Sequence, residues 1–158
     1  MQQLTLVVAT ITTGLIAGLF FTYANSVMPA LRGADDRTFV DAMRRINVVI
    51  LNPLFLSAFT GGLLASAAAA VASLLADDQA SLPWAAAGVV LYAVMVGITQ
   101  AVNVPLNVEL HRAGAVDAIA DVHAVRHRFE ATWNTWNLVR AVASVGAFGC
   151  LVAALLVA

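Results

Sequence analysis

The densest chemistry in the chain lies in the run Phe129-Glu130-Ala131-Thr132-Trp133-Asn134-Thr135-Trp136-Asn137-Leu138-Val139-Arg140, which leads into an apolar C-terminus. At about 100° per residue on a helix, Arg126, Glu130, Trp133, Asn137 and Arg140 fall in one stripe, flanked by Asn134 and Trp136. Two readings compete. A tryptophan belt at a membrane interface, with an arginine reaching toward headgroups, accounts for the indoles and the cation. The wall of a polar cavity between helices accounts for the carboxylate and the amides as well, because such groups inside a bilayer face the bundle interior or a water-filled space. A second constellation precedes this one: Thr99, Asn103 and Asn107 recur at i, i+4 and i+8 on one helical face, with Gln100 beside them and Pro105 interrupting the ladder. Proline cannot donate to the carbonyl of Ala101, so an acceptor is freed among amides that either repair the break or line a polar site. His123, His127 and Glu130 stand at i, i+4 and i+7, a spacing that permits a His-His-carboxylate metal site. A charged HxxxH helix more often faces solvent, and the spacing alone assigns no metal.

The elements that must position these residues follow from composition. The 158 residues are 61% hydrophobic and 11% charged, against roughly 45–50% and about 25% in soluble domains. The chain is therefore read as an integral membrane protein. A net charge of −1 removes the electrostatic case for binding nucleic acid. The single cysteine, Cys150, sits in an apolar run and is read as a small hydrophobe, which leaves no disulfide framework. No charge precedes Arg32, so the N-terminus lacks the basic region of a signal peptide and is read as a retained first span.

A hydrocarbon core needs about 20 apolar residues per helix, and four stretches meet that length, at roughly 4–24, 51–76, 82–108 and 131–157. The expected fold is all-α: a single domain, 1–158, built as an antiparallel bundle of four transmembrane helices. Gly14 and Gly18 form a GxxxG pair suited to close packing, and Met28-Pro29 ends or kinks the first span. Thr38 with Asp41 resembles a capping box, and Phe39, Met43, Ile46 and Ile50 follow at helical spacing. They predict a short amphipathic helix at the interface between spans one and two, with Arg37, Arg44 and Arg45 facing headgroups or water. Asn52-Pro53 reads as the cap and first turn of span two, and Asp77 to Pro83 as a short turn closing a hairpin with span three. Loops one and three carry seven arginines and loop two none, which places those loops in the cytoplasm and both termini outside, in what is expected to be a bacterial plasma membrane. All seven asparagines then collect at the cytoplasmic helix ends with Tyr23 and the Trp133–Arg140 run. Four independent caps do not require that coincidence. One shared pocket is expected there, bordered by Asn103, Asn107, Glu130, Trp133, Asn137 and Arg140, with Arg140 held inward by a carboxylate or an amide.

Asn25-Ser26-Val27-Met28-Pro29-Ala30-Leu31, Asn52-Pro53, Thr99 with Asn103-Val104-Pro105-Leu106-Asn107, and Arg128-Phe129-Glu130 with Trp133, Trp136-Asn137 and Arg140 together resemble the anthrone oxygenase family of small four-helix membrane proteins. The resemblance runs over nearly the whole chain, with the motifs in the family's order. It implies oxidation of tricyclic aromatic anthrones to anthraquinones by molecular oxygen, with no metal or flavin cofactor. Such chemistry needs a base for an acidic methylene, donors for the resulting oxyanion and a dry aromatic slot. On that expectation Glu130, or a histidine such as His127, is the base. Asn103, Asn107, Asn137 and Arg140 hold the oxyanion, and Tyr23, Trp133 and Trp136 stack on flat rings, with Asn25 beside them. Fold-level analogy does not fix a substrate. The competing expectation is a non-catalytic membrane protein, either a binder of a lipophilic small molecule or an accessory subunit of a larger complex, with self-association as a further partner.

Overall fold

The computed structural model describes residues 1–158 and is built of helices, without strands. In chain order these are α1 (Gln2–Arg32), α2 (Asp36–Val49), α3 (Pro53–Leu75), α4 (Leu82–Arg112) and α5 (Val122–Val157), with one turn of 3₁₀ helix at Val116–Ala118. All but α2 are long and apolar enough to cross a membrane. The 23 residues of α3 rise about 35 Å at about 1.5 Å each, close to the roughly 30 Å of a hydrocarbon core. The 31-residue α1 and α4 and the 36-residue α5 overshoot that thickness.

Three apolar layers stack along the bundle and show that its neighbours run antiparallel. Leu6, Ala9, Ala69, Ala85, Leu151 and Ala154 pack at the end that carries both termini. Ile16, Phe20, Phe59, Tyr92, Met95, Ala141 and Ala147 fill the middle. Met28, Phe39, Val40, Met43, Leu110, Phe129 and Trp133 form the third, at the arginine-rich end. The terminal end is flush: the Gln2 side-chain amide donates to Asp78 at 2.6 Å, Ser81 at 2.9 Å and Ser73 at 3.3 Å, tying α1 to the α3–α4 turn. All of the overshoot therefore lies at the arginine-rich end, and α2 packs across it. Gly14 and Gly62 mark close approaches, to the ring of Phe148 and to Tyr92, whereas Gly18 faces open space.

Neither internal proline ends its helix. Ahead of Pro29 and Pro105 one turn widens to π geometry, at Tyr23–Val27 and Thr99–Asn103. Each wide turn is closed by the amide just before the proline, Met28 N–H to the Tyr23 carbonyl and Val104 N–H to that of Thr99. Widening the turn accommodates the missing donor and lets the helix continue, so α1 reaches Arg32 rather than stopping at Pro29.

The amphipathic helix is present, and its apolar face is covered by protein. Phe39, Val40 and Met43 are fully buried against the third layer, while Arg37 and Arg45 are exposed. Its cap is Asp35, not a Thr38–Asp41 box. Asp35 is extended, and its carboxylate accepts from the Thr38 amide at 3.0 Å and from the Thr38 hydroxyl at 2.6 Å. Those bonds hold the Asp35 carboxyl below its usual range. Asn52 caps α3 as expected, accepting from the Phe55 amide at 3.0 Å. Arg126 fastens the end together: it donates to Glu130 at 2.7 Å, to Asp36 at 3.0 Å and to the carbonyls of Ala34 and Arg32 at the C-terminus of α1, with its guanidinium 4.5 Å from the Phe39 ring centre.

Candidate functional site

A cavity of about 350 Å³ opens at the arginine-rich end, between α1, α4, α5 and the end of α2 with the linker that follows it. That volume lies within the roughly 300–1,000 Å³ of small-molecule sites. Phe20, Tyr23, Thr99, Asn107, Trp133 and Arg140 contribute to its wall, and Val48, Leu51, Val104, Val108 and His111 contribute partly exposed side chains. No carboxylate lines it.

The buried seam of α5 runs Trp133, Asn137, Arg140, Ser144, Ala147, Leu151 and Ala154 at spacings of three and four, the signature of a helix packed along one stripe. Arg140 sits on that seam and is 5% exposed. One terminal nitrogen donates to Asn137 Oδ1 at 2.8 Å and the other to Thr99 Oγ1 at 3.4 Å, while Nε has no partner. The guanidinium lies 4.3 Å from the centre of the Phe20 ring and 5.4 Å from that of Trp133. Both distances are within cation–π range. Arg140 forms no salt bridge, whereas Arg32, Arg37, Arg45, Arg126 and Arg128 each find an Asp or Glu partner; Arg44 and Arg112 also lack one but are not buried as Arg140 is. It is held inward, and by an amide.

Two further amides brace this wall from behind. Asn137 donates to the Phe20 carbonyl at 3.3 Å, which joins α5 to α1 where the guanidinium sits. Asn103, wholly buried, donates to the Trp133 carbonyl at 3.3 Å, and its own oxygen is left without a partner. The Trp133 indole N–H donates to Asn107 Oδ1 at 2.8 Å, and its ring lies 5.7 Å from that of Tyr23. Tyr23, Thr99 and Asn103 all belong to the two widened turns. The prolines thus shape the segments from which this wall is built.

Of the residues singled out by sequence, Tyr23, Asn107, Trp133 and Arg140 line the cavity, and Asn103 and Asn137 stand behind it. Glu130, Asn25 and Trp136 do not line it. Glu130 shares the stripe of Arg140 but lies ten residues, about 15 Å, further along the helix, where it is paired with Arg126 and Arg32. Asn25 is two residues beyond Tyr23, close to the opposite side of α1, and is exposed. Trp136 is turned outward and 37% exposed. His123, His127 and Glu130 do not converge: His123 pairs with Asp36 at 3.0 Å, Glu130 with Arg126, and no cluster of His, Cys, Asp or Glu is placed to hold a metal. Phe20 and His111 line the pocket without being expected there, and Asn47 is expected only as a member of the asparagine layer. Phe20 had a signal, being one turn before Tyr23 and so on its face of α1.

The anthrone oxygenase family model matches residues 54–150. The chain belongs to the anthrone oxygenase family. Neither a curated protein nor a solved structure matches it. The anthrone oxygenase match takes in α3, α4 and most of α5, hence Thr99, Asn107, Trp133, Asn137 and Arg140. The wall that α1 and α2 contribute, with Phe20, Tyr23 and Asn47, lies outside it. What the arrangement can do chemically is bind a flat apolar body against rings and place a fixed cation beside any oxygen that carries negative charge.

Proposed function

We propose that the chain binds a flat lipophilic aromatic compound with an acidic oxygen and oxidises its activated methylene to a ketone with molecular oxygen. The observation that carries this reading is Arg140: a buried guanidinium without a carboxylate partner, between two aromatic rings, on the wall of a mostly apolar cavity. A buried charge left without a counter-charge is unfavourable by several kcal/mol. A bound enolate or phenolate supplies the missing negative charge.

In an anthrone the carbanion formed at the methylene delocalises onto the carbonyl oxygen across the ring. A cation fixed beside that oxygen stabilises the deprotonated form, and the proton passes to water or to His111 at the cavity rim. The electron-rich carbon then reduces oxygen and forms a C–O bond, giving a peroxide anion that takes a proton back from water or His111 to become a hydroperoxide. Loss of water from that hydroperoxide leaves the ketone, so one oxygen atom is retained and the other leaves as water. Glu130 takes no part in this scheme, because it is paired with arginines outside the cavity. The lack of a carboxylate on the wall favours one second reading, a protein that binds such a compound without turning it over.

Oxygen consumption by the reconstituted protein with anthrone separates the two. Uptake above the spontaneous rate, matched by anthraquinone formation and lost in Arg140→Met, supports the oxygenase. Saturable binding without uptake supports the binder, and neither binding nor uptake refutes both.

A further inference from the structure

The depth of the cavity mouth can be read from two outward-facing indoles. Trp84 near the start of α4 is 47% exposed, and Trp136 on α5 is 37% exposed. The bond from Asn103 to the Trp133 carbonyl, and that from Arg140 to Thr99, put Trp136 level with the Thr99–Asn103 turn of α4. From Trp84 to the middle of that turn is about 25 Å at about 1.5 Å per residue, somewhat under a hydrocarbon core of about 30 Å. Tryptophans concentrate at both faces of a bilayer. Trp84 and Trp136 thus mark the two boundaries, and the cavity opens at the second of them.

Apart from His111, the exposed rim of that opening is apolar. Val104 and Val108 on α4, Val48 at the end of α2 and Leu51 on the α2–α3 linker line the cavity and are 37%, 41%, 56% and 64% exposed. Leu54, at the start of α3, is 79% exposed. Side chains of this kind around a mouth that opened to water would be unfavourable, whereas in the interfacial layer at that boundary they border lipid. The charged groups of this end lie elsewhere: Arg126, Asp36 and Glu130 are joined to one another, and none of them lines the cavity.

We propose that the cavity fills sideways from the bilayer, through the gap between the α2–α3 linker and α4, so that its ligand is a membrane-dissolved amphiphile with a flat apolar body and an ionisable oxygen at one end. This rests on the reading of Arg140 as an oxyanion anchor. The oxygen end travels inward to Arg140, and the body is left against the rim. A compound with the same acidic oxygen but a permanent second charge is excluded, because that charge cannot cross the apolar mouth.

The test uses the full chain in lipid vesicles with Trp84→Phe and Trp136→Phe, so that Trp133 alone reports. The probes are alizarin, a lipophilic hydroxyanthraquinone, and its sulfonate, which has the same phenols and a fixed charge. Alizarin should quench Trp133 and the sulfonate should not. Val48→Phe and Val108→Phe, which narrow the rim from its two sides, should slow alizarin association about tenfold, within the spread that variants of one site show in on-rate. Val48→Ala and Val108→Ala, which widen it, should leave the rate unchanged or raise it. Equal, equally fast quenching by the sulfonate overturns the sideways route while leaving the anchor intact. So does an association rate indifferent to the phenylalanines or slowed by the alanines. Quenching by neither dye overturns the anchor, and the route falls with it.

Discussion

Replacing Arg140 by methionine separates a ligand anchor from a structural arginine, because the two make opposite forecasts for stability. Methionine matches the length of the stem and carries no charge. The substitution removes one short charge-assisted hydrogen bond, to Asn137 at 2.8 Å, a long one to Thr99 at 3.4 Å and two ring contacts. The short bond is worth about 1.5–3 kcal/mol and the ring contacts about 2 kcal/mol when desolvated. Against that, the variant no longer buries an uncompensated cation, a penalty of several kcal/mol. The terms nearly cancel, so Arg140→Met should melt within about 5 °C of the parent in detergent or nanodiscs, where 1 kcal/mol moves a domain of this size by about 2–4 °C. Ligand binding should behave differently, since the only cation in the wall is gone. Loss of one charge-assisted contact of about 1.5–3 kcal/mol weakens alizarin binding by about ten- to a hundredfold. Arg140→Lys keeps the charge but not the planar fork and should lose nearly as much affinity. A melting point lowered by more than about 10 °C, with affinity little changed, would show that Arg140 holds the bundle together and would refute the anchor.

Glu130→Gln should change ligand affinity by less than about twofold, because the carboxylate lies outside the cavity and on Arg126; a tenfold loss in the same titration would restore it to the site. Gly62→Ala places a methyl 2.5 Å from the hydroxyl of Tyr92, a fully buried ring that donates to the Phe59 carbonyl. It should lower stability by about 1–3 kcal/mol, with partial recovery on adding Tyr92→Phe, both read by thermal melts. Asp36 is held below the usual carboxylate range, by the bond from His123 first and by Arg126 after it. Its contribution to docking α2 is therefore complete above about pH 4 and is lost as the pH falls through the depressed value. Hydrogen exchange of α2 amides should accelerate there relative to α3 and α4; unchanged relative protection down to about pH 2 contradicts it.

Much of the architecture was legible in the chain because it depends on properties that act along one helix. Span length, Asn52 as a cap, the apolar face of α2 and the inward direction of Arg140 each follow from a local period or a local cap. Helical periodicity reports the face of a helix and not its depth, which is why Glu130 shared a stripe with Arg140 yet lies about 15 Å away from it beside Arg126. The clustering of asparagines marks the end of the bundle at which the cavity lies, but Asn25 faces outward and Asn52 is spent on a cap. From the sequence Pro29 ends or kinks the first span and Pro105 removes one hydrogen bond within the third; in the structure each is absorbed by one widened turn, an outcome that depends on the helices packed around it. Phe20, Asn47 and His111 reach the cavity from three different elements, and only the tertiary arrangement brings them to Arg140.

The most direct measurement is an experimental structure of the chain in lipid with a hydroxyanthraquinone bound. The ring system should lie in the cavity against Phe20, Tyr23 and Trp133, with an ionised oxygen within hydrogen-bond distance of the Arg140 guanidinium. A ligand seated elsewhere, or a lipid phosphate on Arg140 while the compound stays in the bilayer, would contradict the account.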